Sequence, residues 1–331
     1  MTQTTESPVT PASTPMKRKI PVGISACLTG QKVRYNGGHK QSRYCLTVLD
    51  DCFEYETFCP EVAIGLGIPR DPIRLVGLEG EHPRALGTKD PDLDVTEDLL
   101  RVGKDFVERH RHLRGFILMK GSPSCGMERV KVYHPNGMPL HADSGVFVRA
   151  LRENYPELPL EEEARMNDAV LRENFIARVF AYDDWMTSVE EAPSYHAILQ
   201  FHSRQKYLLM AHHYEGYREL GRYLAEAHNR PLDEVKQHYL SRFMHHMEHK
   251  ATRKTHANVL QHILGYLKRD IDSDCKQEML ASIEQYREGH VHLVVPLTLL
   301  KHYVKRFGSD YIREQTYLNP HPHELGLRNY I

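Results

Sequence analysis

Residues 19–40 read KIPVGISACLTGQKVRYNGGHK. The stretch 19–25 is a short apolar run after a basic start, and it opens into a glycine-bearing loop over 26–40. A strand that delivers its C-terminal end into such a loop is the first unit of a pattern that repeats. Residues 53–58 read as a second strand ending at Cys59-Pro60-Glu61, 73–78 as a third, and 114–120 as a fourth running into the loop 121–126. Between them 45–52 looks helical, and 95–112 carries Leu99, Leu100, Val102, Phe106 and Val107 at helical spacing. Strands alternating with helices predict an α/β domain with a mainly parallel, Rossmann-like sheet covered on both faces. Residues 144–154 and 161–182 read as two more helices.

The second half changes character. From 195 to 303 the periodicity is helical only, with Ile198, Phe201, Leu208, Leu209 and Met210 in one stretch and Val259, Leu260, Ile263, Leu264 and Leu267 in another. Breakers fall at Asn229-Arg230-Pro231, 271–273 and Gly289, which predicts an all-α helical domain of about five helices. The acidic, proline-bearing segment 183–193 is the expected boundary, giving domains over 17–185 and 190–331. Residues 1–16 are rich in Thr, Ser and Pro and lack the apolar core of a signal peptide, so a disordered leader is expected there. The tail 315–331 reads as irregular.

The chain has 331 residues, with 43 Lys+Arg against 44 Asp+Glu, so it is not a uniformly basic nucleic-acid binder. No run approaches the roughly 18 apolar residues of a membrane span. Six cysteines are too few for a disulfide scaffold, which points to a reducing, cytoplasmic compartment and to thiols that ligate or react. Three of them share a position. Cys27 follows the first strand, Cys59 closes the second, and Cys125 lies in the loop beyond the fourth. Loops past the carboxyl ends of parallel strands converge on one crevice, so these thiols are expected to meet. Three thiolates can hold zinc with an open fourth position, or three irons of a [4Fe–4S] cluster with the fourth iron free. Composition does not separate the two. Cys45, Cys52 and Cys275 fall within expected helices and read as packing residues.

At these loops the sequence resembles a known family. Ser-Ala-Cys-Leu-Thr-Gly at 25–30, Val-Arg-Tyr-Asn-Gly-Gly-His-Lys at 33–40, Cys-Pro-Glu at 59–61, Pro-Arg-Asp-Pro at 69–72 and Lys-Gly-Ser-Pro-Ser-Cys-Gly at 120–126 resemble the TudS-type thiouracil desulfidases, and the likeness continues through 172–176. The resemblance implies a [4Fe–4S] cluster on Cys27, Cys59 and Cys125, with Glu61 as the catalytic carboxylate and Ser122 as its serine. Asn36 stands where Asp is expected in relatives. The segments 201–207 and 318–322 resemble a YbgA-type helical domain. The fusion is similar to RudS-type desulfidases, which implies tRNA carrying 4-thiouridine as the substrate and the helical domain as its RNA-binding part. A free thiolated base or nucleotide, with a dimerising helical domain, and a non-catalytic metal-containing RNA-binding module are the alternatives. The oligomeric state is open.

Hydrolytic removal of a thiocarbonyl sulfur needs an acceptor for sulfur and a group that moves protons, and Glu61, two residues from a ligand, suits the second task. Gly37 and Gly38 offer backbone amides beside Arg34 and Lys40, so Arg34, Asn36, Gly37, Gly38 and Lys40, with Ser124, are the expected substrate contacts. For RNA, Arg242, His246, His249, Lys250 and Arg253 recur at spacings of three or four and are expected to share one helix face, with Lys254 beside them. Arg204 and Lys206, next to Tyr207, form a second candidate cluster. Sixteen of the 22 histidines fall after residue 185. His245 and His249 are four apart, but no third ligand is evident, so these histidines are read as polar, partly charged contacts to RNA.

Overall fold

A computed structural model describes residues 18–331; the leader expected over 1–16 lies outside them. The first half runs β1 (Ile20–Ser25), α1 (Arg43–Thr47), β2 (Phe53–Phe58), α2 (Pro60–Ala63), β3 (Ile73–Val76), β4 (Arg84–Gly87), α3 (Thr96–Arg109), β5 (Phe116–Leu118), β6 (Val130–Tyr133), β7 (Pro139–Asp143), α4 (Val146–Asn154) and β8 (Leu160–Glu162), and ends on α5 (Ala169–Trp185). β1, β2, β5 and β8 form a wholly parallel sheet in the order β2-β1-β5-β8. Val22 and Ile24 on one face of β1 and Gly23 and Ser25 on the other are all buried, as a central strand covered on both faces requires. Gly23 permits the tight pairing with β5, because a Cβ there would lie 2.4 Å from the Phe116 ring.

Two readings of this half are corrected. The 73–78 strand is not part of the parallel sheet. β3 belongs to a second, mixed sheet ordered β4-β3-β6-β7, in which only the β3–β6 pair is parallel. The helix expected over 161–182 is split. Its first residues form β8, and the helix starts at Ala169, where the Asp168 carboxylate accepts from the amides of Val170 (2.9 Å) and Leu171 (3.0 Å) and fixes the N-terminus.

The second half contains α6 (Tyr195–His212), α7 (Tyr214–Glu226), α8 (Leu232–Met247), α9 (Arg253–Tyr266), α10 (Ser273–Glu288), α11 (Val294–Phe307) and the one-turn α12 (Asp310–Arg313). The expected breakers at 229–231 and Gly289 fall between these helices, and 271–273 leads into the first residue of α10. Two further breaks occur at His213 and at 248–252. None of these helices is long and apolar enough to cross a membrane.

The two halves share a core, and α5 is the shared element. It is buried around most of its circumference, with Glu173, Asn174 and Arg178 enclosed among its apolar residues. Phe175, Ile176 and Val179 pack with Ile20, Val22 and Ile24 of the sheet. Ala181, Tyr182 and Trp185 pack with the helical half, where the Trp185 ring lies 5.1 Å from Phe201 and 5.4 Å from Tyr239. The tail returns to the first half: Leu327 joins the β1 core, and Arg328 donates to the buried Glu173 carboxylate of α5 at 3.2 Å.

Candidate active site

Because β2 and β5 flank β1 on opposite sides, the loops beyond their carboxyl ends open onto one crevice. There Cys27, Cys59 and Cys125 line a single cavity of about 160 Å³, with Glu61, Arg70, Ser122, Ser124 and Arg34 among its walls. Among the described residues, no histidine and no fourth cysteine lines it. Apolar walls come from Val33, Phe58, Ile73 and Met119.

Each thiol is positioned by its own local structure. Cys27 lies in the turn after β1, and its carbonyl accepts from Lys40 N at 2.9 Å, which folds the 31–40 loop back over it. Cys59 caps α2, with Pro60 at the first helical position, so Glu61 projects from the first turn. The Cys125 loop is pinned by α4, whose first amides, Val146 N and Phe147 N, donate to the carbonyls of Pro123 (3.1 Å) and Ser124 (3.0 Å). Gly145 makes that approach possible, since a Cβ there would sit 2.4 Å from the Ser124 carbonyl oxygen. Buried Glu162 of β8 holds the far side, accepting from Met127 N at 2.9 Å. Burial pushes the Cys27 thiol up to about 12, with the neighbouring Cys125 and Cys59 adding to it and Arg34 opposing. Burial also raises Cys59 and Cys125, and the hydroxyls of Ser122 and Ser25 work the other way at Cys125. Binding of a metal group by such thiols releases their protons.

Glu61 is held from two sides. Arg70 donates Nε and Nη2 to Oε2 at 2.9 and 2.8 Å, in an ion pair whose side chains are 7% and 13% exposed. Oε1 accepts from Ser124 Oγ at 2.7 Å and from Ser122 Oγ at the longer distance of 3.4 Å. Ser122 also accepts from the amides of Ser124 and Cys125, both at 3.3 Å, so it chiefly shapes the turn. The direct partner of the carboxylate is therefore Ser124 and not Ser122, which corrects the expectation that Ser124 serves substrate contact. Arg70 had a motif, Pro69-Arg70-Asp71-Pro72, but no role. Ser25 was also missed. Its hydroxyl accepts from Met119 N at 3.0 Å and donates to Cys125 Sγ at 3.6 Å, tying β1 to the third thiol.

Of the expected substrate contacts, Arg34 and Ser124 line the cavity. Asn36, Gly37, Gly38 and Lys40 are not among its lining residues. Asn36 Oδ1 accepts from Gly38 N at 3.1 Å, Gly37 takes a φ of +71°, and the segment is a turn.

The expected basic stripe is broken. α8 ends at Met247, and α9 starts anew from Thr252, whose hydroxyl accepts from Thr255 N, so Arg242 and Arg253 lie on different helices. Arg242 forks onto Glu219 at 2.8 and 2.9 Å. Arg253 donates to the carbonyls of Tyr286 (2.9 Å) and Val291 (3.1 Å). Arg204 pairs with Asp184 at 3.0 Å, and the Lys206 ammonium lies over the rings of Tyr207, Tyr217 and Tyr311. Lys250 and Lys254 are exposed. His246, His212 and His256 are buried, so they are not contacts on an outer surface. A cleft of about 660 Å³ does lie between the two halves, lined by Arg152, Arg178, Arg242, His245 and Lys250 together with Glu128, Glu161 and Glu248.

An α/β layer that gathers three strand-end thiols beside a clamped carboxylate, and shares its core with a helical bundle, defines a two-part architecture. Residues 22–163 match the family model described as 2-thiouracil desulfurase, and residues 206–322 match the one described as protein of unknown function DUF1722. The uncharacterized protein YbgA of Escherichia coli (strain K12) is 32% identical over 165 residues, half of this chain and 98% of YbgA. The uncharacterized protein YbbK of Bacillus subtilis (strain 168) is 31% identical over 108 residues, 31% of this chain and 71% of YbbK. A solved structure of the [4Fe-4S]-dependent thiouracil desulfidase TudS is 31% identical, covering 46% of this chain and 94% of that one, with a TM-score of 0.35. The chain belongs to the 2-thiouracil desulfurase family, joined in one polypeptide to a domain of the YbgA family.

Proposed function

We propose that this protein is a desulfidase that hydrolyses the thiocarbonyl of 4-thiouridine in tRNA, giving uridine and hydrogen sulfide, and that Cys27, Cys59 and Cys125 hold the [4Fe–4S] cluster it requires. The observation that carries this reading is the meeting of three thiols, and no fourth, in one cavity with Glu61. Three thiols with no fourth cysteine or histidine among the described residues that line the cavity fit a [4Fe–4S] cluster that keeps one iron open. When bound, the cluster would offer the substrate sulfur an iron without a protein ligand and so polarise C=S.

The chain's own residues supply the rest. Arg70 fixes Oε2 of Glu61 and leaves Oε1 facing Ser124. From there Glu61 takes a proton from water as it adds to the thiocarbonyl carbon and returns one to the pyrimidine nitrogen or the departing sulfide. Val33, Phe58 and Met119 give the flat base an apolar wall, and Arg34 stands at the same cavity for its polar edge. The cleft between the halves supports a polymeric substrate. It contains Met127 and Glu128, two and three residues beyond Cys125, and its cations Arg152 and Lys250 suit phosphates. The family's description favours a second reading, free 2-thiouracil as substrate.

The test is anaerobic turnover of thiolated tRNA and of free thiouracils, with sulfide release as the readout. Faster release from 4-thiouridine-containing tRNA, abolished in Glu61→Gln with the visible absorbance retained, supports the proposal. Turnover of the free base alone transfers the substrate to the second reading. No sulfide from either, with the cluster loaded, overturns both.

A further inference from the structure

We propose that His213, His246 and His249 form a second metal site in the helical half, independent of the thiol cavity, that takes one first-row transition ion such as Zn²⁺. One ring nitrogen from each residue lies within 4.8 Å of the others. The three come from the α6–α7 junction, the last turn of α8 and the segment just past it.

The central ligand is His246. Its side chain is buried, and its Nε2 lies 3.2 Å from Oε2 of Glu219 on α7. That carboxylate, itself gripped by Arg242, keeps the proton on Nε2 and leaves Nδ1 as a lone pair. Nδ1 is buried and has no hydrogen-bond partner. A buried ring nitrogen left unpaired costs free energy unless something occupies it, and a histidine whose other nitrogen faces a carboxylate is the usual arrangement of a metal ligand. His249 is oriented the same way. Its Nδ1 lies 3.1 Å from the His246 carbonyl oxygen and donates to it, which leaves Nε2 as the free lone pair.

His213 completes the set. Its ring lies 4.8 Å from that of His246 and 4.2 Å from that of His249, near-parallel to both. His213 also accepts from Gly216 N at 3.0 Å as the cap of α7. Ligation requires half-buried His213 and exposed His249 to turn out of the stack, and His213 to exchange its Gly216 hydrogen bond for the ion. Gly216 keeps the approach open, because a Cβ there would lie 2.4 Å from His246 Cγ and 2.7 Å from His213 Nδ1. Three imidazoles without a thiolate select ions of the zinc, cobalt, nickel and copper group over calcium or magnesium, and three protein ligands leave a fourth position for water. The ion would staple α7 to the end of α8, beside the carbonyls of Met247 and His249 that accept from Asn174 of α5 at 2.9 and 3.2 Å.

The test is titration of the chelator-treated, cluster-loaded full chain with Co²⁺ and then Zn²⁺, followed by visible absorbance and calorimetry. Expected is one equivalent of tetrahedral Co²⁺ without a thiolate charge-transfer band, displaced by Zn²⁺. His213→Ser removes the ligand and keeps a capping side chain for α7, and His249→Gln removes an exposed ring; each should weaken binding at least tenfold with an unchanged circular dichroism spectrum. No saturable binding, unchanged affinity in both variants, or a thiolate band that disappears in Cys59→Ser would overturn the proposal.

Discussion

Arg70 places two hydrogen bonds on one oxygen of Glu61, at 2.9 and 2.8 Å, and leaves the other to Ser124 at 2.7 Å. Both donors of the guanidinium fork converge on Oε2, so Arg70 and Ser124 together hold the carboxylate by its two oxygens. Arg70→Lys keeps the charge and loses the fork, so kcat for sulfide release should fall by about 10²-fold with KM little changed. Steady-state kinetics on protein of equal iron content checks this. An equal loss in kcat and cluster content would assign Arg70 to the fold instead.

The two serines should separate. Ser124→Ala removes the closest hydroxyl to Glu61 and should lower kcat by roughly tenfold or more at normal cluster content. Ser122→Ala removes the hydroxyl that accepts from the Ser124 and Cys125 amides, and should show first as faster loss of the visible absorbance under air.

Much of this site was legible because the ends of neighbouring parallel strands must converge. Cys27, Cys59 and Cys125 could be brought together from strand positions alone. The clamp was not legible, since nothing local in Pro69-Arg70-Asp71-Pro72 tells which carboxylate the arginine meets. β8 was missed because Leu160-Glu161-Glu162 reads as the polar start of a helix, and only its place beside β5 buries both glutamates. The continuous basic stripe failed on a short signal: Thr252 and Thr255 form a reciprocal cap that starts a new helix and turns Arg253 inward. His213 escaped as a ligand because it lies 33 residues before His246, and only the α7–α8 pairing joins them.

The buried histidines predict a pH dependence opposite to that of RNA-facing ones. Burial holds His256 down to about 3 and His202 down to about 4, against about 6.5 for an unfolded chain. Both stay neutral in the folded state while the unfolded state takes protons. Their contribution to stability is full above pH 6.5 and is lost as pH falls toward 4. Urea unfolding at successive pH values should show midpoints falling across that window. His256→Asn, which keeps a side chain able to meet the Tyr317 hydroxyl now 2.9 Å from the ring, should flatten the slope. An unchanged slope would contradict the assignment.

The cations should also divide into two kinds. Arg152→Ala with Lys250→Ala, in the cleft, should weaken tRNA binding several-fold and make the salt slope shallower by about two. Arg253→Ala should instead lower thermal stability, by about 1–3 kcal/mol, because it leaves the carbonyls of Tyr286 and Val291 without their donor. Filter binding across a salt series and a melting curve distinguish the two. Intact binding in the double variant would remove the cleft as the RNA surface.

The central claim is that three thiols hold a cluster on which Glu61 completes desulfuration. Anaerobically purified protein should contain about four irons and four sulfides per chain, and mixing it with 4-thiouridine-containing tRNA should release sulfide in the wild type and not in Glu61→Gln. Colourless protein with one zinc in the thiol cavity, or cluster-loaded wild type that releases no sulfide, would contradict it.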